Sequence, residues 1–89
     1  MTVFVLVEDY PEPKLAERVR KMYPQDHLEI SDGKWLISDN NTTKGVCEKL
    51  GIVEDGRGFP GTIVFSTGSY YGLHDNVTWE WLKTKLESN

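Results

Sequence analysis

Near the middle of the chain, Asp32-Gly33 separates two short runs containing large apolar residues, 27–31 and 34–38. Both residues tolerate the positive φ of a two-residue type I′ turn, so the segment predicts a hairpin of two antiparallel strands. Leu28 and Ile30 share one face of the first strand, and Trp35 and Ile37 share one face of the second, the pattern of a half-buried sheet. An isolated hairpin is marginal in water, so the flanking segments must supply the remaining strands and the covering helices.

Upstream, residues 2–7 are β-branched, aromatic and free of turn residues, which reads as a buried strand. Pro11-Glu12-Pro13 ends it, and Pro13 suits the first position of a helix. Leu15, Val19, Met22 and Tyr23 then recur at helical spacing up to Pro24. Downstream, the polar run 39–43 offers side-chain oxygens that can cap a second helix carrying Val46, Cys47 and Leu50. Gly51 closes that helix, with Ile52 placed for the accompanying apolar contact. The Gly- and Pro-rich stretch 53–61 is expected to be irregular and mobile. Residues 62–66 form a fourth strand, and Asp75 is a candidate cap for a last helix reaching about Leu86.

The resulting order, βαββαβ plus a C-terminal helix, predicts one ferredoxin-like α+β domain over residues 1–89. In it a four-stranded antiparallel sheet packs on helices, two of them on one face. A chain of 89 residues has a thin core, burying about 60 to 65% of the surface its unfolded form exposes. The last helix is therefore informative: Trp79, Leu82 and Leu86 form one stripe while Val77 and Trp81 lie on another side. Either the monomer buries both stripes or one of them meets a partner.

Three segments carry a resemblance to a known group. They are Val5-Leu6-Val7-Glu8-Asp9 at the end of the first strand, Lys34-Trp35-Leu36-Ile37, and Gly68-Ser69-Tyr70-Tyr71-Gly72 followed by Trp79-Glu80-Trp81-Leu82. In these the chain resembles the SinR-like small bacterial proteins, ferredoxin-like relatives of the CRISPR spacer-adaptation subunit. The resemblance implies an Asp at the end of strand one that, contributed by each member of a dimer, holds a divalent metal against a phosphodiester. Asp9 matches that position, and magnesium with its retained waters would suit such a pair. The chain departs from those relatives in its second and third strands, which lack their Ser-rich, Phe-containing segment.

The net charge of -4 gives no general attraction to nucleic acid, but it is unevenly spread. Residues 14–23 carry Lys14, Arg18, Arg20 and Lys21 against Glu17, between acidic flanks. Lys14, Arg18 and Lys21 are therefore candidate nucleic-acid contacts, although such a run is also the ordinary solvated face of a helix. Tyr70, Tyr71, Trp79 and Trp81 could stack on single-stranded bases, but a basic-Gly-aromatic signature on a central strand is missing, and aromatic anchors are typical of protein interfaces. His27 and His74 have no ligand partners at fixed spacing, His74-Asp75 reads as a loop and a cap, and Cys47 lacks a neighbouring base to activate its thiol.

One cysteine excludes an internal disulfide and fits the cytoplasm. The apolar start lacks a basic flank and a cleavage site, so neither a signal peptide nor a membrane contact is expected. The leading expectation is a non-enzymatic, homodimeric interaction or regulatory protein that contacts its partner through Tyr70, Tyr71, Trp79 and Trp81. The alternative is a metal-dependent nuclease centred on Asp9, for which alone a cofactor, magnesium, is expected.

Overall fold

The computed structural model describes residues 1–54, 56, 58–69, 72, 74 and 76–87, with residue 87 described by its backbone alone. Its elements are β1 (Thr2–Glu8), α1 (Pro13–Met22), β2 (His27–Ser31), β3 (Lys34–Asp39), α2 (Thr43–Leu50), β4 (Thr62–Thr67) and α3 (Asn76–Glu87). The strands form one antiparallel sheet in the order β2-β3-β1-β4, so β1 and β3 are central and β2 and β4 are edges. The expected α+β class and open four-stranded antiparallel sheet are present.

Local chemistry accounts for the helix ends. Pro13 occupies the first turn of α1, where its missing N–H costs nothing. No side chain caps that turn from Glu12; instead the backbone N–H of Glu12 donates to Oε1 of the buried Glu8 at 3.0 Å. Thr42 caps α2 by accepting from the Gly45 N–H at 3.0 Å. Gly51 ends α2 at φ 72, and the Ile52 N–H donates to the Cys47 carbonyl at 2.9 Å while its side chain is buried.

Alternation along β1 divides the protein into two cores. Phe4 and Leu6 face α1 and α2, where they meet Leu15, Val19, Tyr23, Trp35, Ile37, Val46, Leu50, Ile52 and Val64. Val3 faces the other way and joins Leu36 and Leu82, with Val5, Leu28, Ile30, Trp79, Trp81 and Leu86 packed around them. Helix α3 thus lies on the sheet face opposite α1 and α2. Its far end is fastened by Lys85, whose ammonium is 2.6 Å from Oδ1 of Asp26, just before β2.

The half-buried sheet expected from the hairpin is not what forms. Leu28 pairs with Leu36 and looks toward α3, whereas Trp35 and Ile37 pair with Glu29 and His27 and look toward α1. The cause is a register shift between Glu29 and Ser31, since one extra residue in a strand turns everything beyond it to the other face. The turn also departs from type I′: Gly33 alone has positive φ, at 77°, and Asp32 does not. In α1, Met22 is exposed rather than part of the buried stripe. The stretch after α2 is irregular as expected but anchored, since the Phe59 N–H donates to the Ile52 carbonyl and the Asp9 N–H to the Gly61 carbonyl.

Leu82 is the buried centre of the α3 contact, at 5% exposure. Leu82→Ala is expected to cost about 2–4 kcal/mol in chemical denaturation and to shift tryptophan emission to the red, as Trp79 and Trp81 lose their packing. An effect below about 0.5 kcal/mol, the size of an ordinary surface substitution, would show that α3 does not contribute a core.

Candidate functional site

The cations of α1 that mark it as basic in sequence divide into two kinds. Arg18 donates from Nη1 to the Leu50 carbonyl at 3.0 Å, lies 3.8 Å from Glu54 and sits 5.3 Å from the Phe59 ring centroid. It ties α1 to the C-terminus of α2. Arg20 pairs with Glu29 at 3.1 Å and covers Trp35, its guanidinium 5.3 Å from that ring. Lys14 and Lys21 are exposed and make no ion pair among the described residues. Of the predicted nucleic-acid contacts, Arg18 is thus engaged within the fold, while Lys14 and Lys21 face solvent on separate turns.

Asp9 lies just past β1 and is exposed, its backbone N–H held by Gly61. Glu8, its neighbour, points the other way and is occupied by the α1 N-terminus. No group of three or more His, Cys, Asp or Glu side chains able to hold a metal is found among the described residues. A groove lined by Tyr10, Lys14, Arg18, Phe59 and Thr62 opens at this end of the sheet. Cys47 is half-buried, and burial together with the neighbouring Glu48 raises its thiol pKa, the reverse of what a nucleophile needs.

The tightest polar cluster joins α1, β3 and α2. The Tyr23 hydroxyl donates to Oδ2 of Asp39 at 2.8 Å, Lys49 is 3.6 Å from the same oxygen, and its ammonium sits 4.5 Å from the Tyr23 ring centroid. Burial, then the hydrogen bond to Asp39 and its negative charge, raise the Tyr23 pKa. Burial alone would also raise Asp39, but hydrogen bonds from Tyr23 and Asn41 and the Lys49 charge outweigh it and hold its carboxyl below the usual range. The cluster is a structural clasp. Neutral Tyr23 stabilises the fold fully below its unfolded pKa of about 10, and that stability is lost as pH rises toward the higher folded value. Asp39 contributes above its unfolded value of about 3.9, and that contribution is lost as pH falls through the lower folded one.

Of the aromatic residues expected to form an interface, the structure describes the two tryptophans. Trp79 and Trp81 are half-buried against the α3 core, with the Trp79 indole N–H donating to the His74 carbonyl at 3.0 Å and Lys85 lying 6.0 Å from the Trp81 ring. Both stripes of α3 are therefore used inside the chain, except that Val77 is 65% exposed. Tyr70, Tyr71 and Asp75 lie outside the described residues.

Sequence reasoning missed the open apolar surface on β4. Ile63 is 60% and Phe65 46% exposed, side by side on the α3 face of the sheet and paired with Val7 and Val5 of β1. Helix α3 packs on β1 and β2 and leaves these side chains uncovered. Strand β4 is also an edge, and its sequence Thr62-Ile63-Val64-Phe65-Ser66-Thr67 contains no charge and no proline, the usual devices that protect an edge. The consecutive apolar residues 63–65 were the available signal, because a strand apolar on both sides needs cover on both. No helix among the described residues is long and apolar enough to cross a membrane. No family model, curated protein or solved structure matches the chain.

Tyr23→Phe is expected to lower stability by about 1–2 kcal/mol at neutral pH through the lost hydrogen bond to a charged acceptor. It should also remove the part of the stability loss above about pH 10 that ionisation of Tyr23 contributes, measured by denaturant unfolding across pH. An unchanged alkaline profile would contradict the assignment.

Proposed function

We propose that this protein is a small non-enzymatic interaction module that associates with a copy of itself or another protein through the uncovered face and edge of β4. The observation that carries the reading is Ile63 and Phe65 exposed side by side on a charge-free edge strand, whereas the other exposed apolar side chains, Tyr10, Val53 and Val77 among them, lie on separate segments. Exposed apolar groups concentrated at one place mark contact surfaces, whereas scattered ones do not. Phe65 is the natural anchor, being aromatic and flanked by smaller residues.

The fold we assign is the ferredoxin-like one. Supporting it are the βαββαβ order, the strand order β4-β1-β3-β2 read from the β4 edge, and the packing of α1 and α2 on one face. Helix α3 is then an addition that covers the second face only in part. A cytoplasmic protein with one half-buried thiol and no disulfide is consistent with this role.

Light scattering over a range of concentrations tests the reading. The natural protein should rise above the monomer mass as concentration increases, and Phe65→Lys should hold it at the monomer mass with stability within about 0.5 kcal/mol of the natural chain. A natural protein that stays at monomer mass throughout and captures no partner would contradict it.

A further inference from the structure

Resting on the interaction reading above, we infer that the occupant of the β4 edge is a second copy of this chain, joined strand to strand in one register centred on Val64. The backbone decides which groups are available. The Asp9 N–H donates to the Gly61 carbonyl at 2.8 Å, and in the β1·β4 register Asp9 stands opposite Gly61. Hydrogen-bonded and non-hydrogen-bonded pairs alternate along an antiparallel ladder, so Ile63, Phe65 and Thr67 turn their N–H and C=O groups toward β1. The Glu8 N–H, donating to Gly33 on the β3 side, sets the same alternation from the other direction. Thr62, Val64 and Ser66 therefore direct theirs away from β1 to the open edge, where no described residue pairs with them.

A two-fold axis through Val64 uses all of these groups. Val64 pairs with the partner's Val64 and Thr62 with the partner's Ser66, each at a hydrogen-bonded position. Between them, Ile63 stands opposite the partner's Phe65, and Phe65 opposite the partner's Ile63, at the non-hydrogen-bonded positions where cross-strand side chains approach most closely. The two exposed apolar residues of one copy thus cover those of the other, as a self-complementary two-fold interface requires. Slipping by one residue would place the exposed face against the core face. Slipping by two would oppose Phe65 to its own copy and leave Ile63 beside Thr67, or oppose Ile63 to its own copy and leave Phe65 beside Gly61.

Self-complementarity favours a second copy, and charge permits it. The chain carries a net -4, yet β4 holds no charged residue, so two acidic molecules can meet along it with little repulsion. One strand and two side chains per copy form a contact below the roughly 1,200 Å² at which specific stable interfaces begin, so the dimer should dissociate on dilution. Phe65→Ala, which removes both Ile·Phe pairs, should weaken dimerisation about tenfold.

Cysteine cross-linking reads the register directly. In a Cys47→Ser background, Ile63→Cys and Phe65→Cys proteins are prepared separately and oxidised alone and mixed, with circular dichroism melting to confirm that each is folded. The expected result is a disulfide-linked dimer in the mixture and little in either protein alone. Either protein linking to itself as well as or better than in the mixture overturns the register. Dimers by light scattering with no cross-link in any sample overturn β4 pairing while leaving the interaction reading intact. A monomer at every concentration overturns self-association, and the interaction reading falls with it only if no other protein is captured.

Discussion

Everything else in the fold is arranged around the burial of β1. Val3, Phe4 and Leu6 have no exposed surface, and the strand pairs antiparallel with β3 on one side and β4 on the other. A strand paired along both edges and covered on both faces needs two layers outside the sheet, and a short chain can just provide them. Helices α1 and α2 form one layer, and α3 is the other. One helix cannot cover a four-stranded sheet. It lies over β1 and β2, where Lys85 meets Asp26, and the β4 side of that face stays open.

Much of this plan was legible in the sequence because the signals are local. Pro13 starts α1, Thr42 is among the oxygens able to cap α2, and Gly51 with Ile52 closes it. These depend on groups within a few residues of one another, and chain order carries them. Leu28 with Ile30 and Trp35 with Ile37 share faces as the alternation says, but that the two pairs face opposite ways was not legible, because it depends on a bulge between Glu29 and Ser31 that no residue type announces. The destination of α3 was not legible either. Two apolar stripes on a helix say that both want cover, but whether a sheet or a partner supplies it is a tertiary fact.

The site shows the same division. Basic residues on α1 suggest a binding face, yet Arg18 and Arg20 are committed to Leu50, Glu54, Glu29 and two aromatic rings. Their partners come from α2, the loop after it, β2 and β3, which the sequence of α1 cannot disclose. Conversely, Ile63 and Phe65 look like ordinary core residues until the sheet order makes β4 an edge and α3 stops short of it.

In the proposed dimer, the outward backbone of β4 is where this chain meets its copy. Amide hydrogen exchange at Thr62, Val64 and Ser66, followed over a dilution series, tests it most directly. The account predicts that these amides are protected at high concentration and exchange freely on dilution, while those of Ile63 and Phe65, bonded to β1, stay protected throughout. Exchange at Thr62, Val64 and Ser66 that is fast at every concentration, in a sample shown to be dimeric, would contradict it.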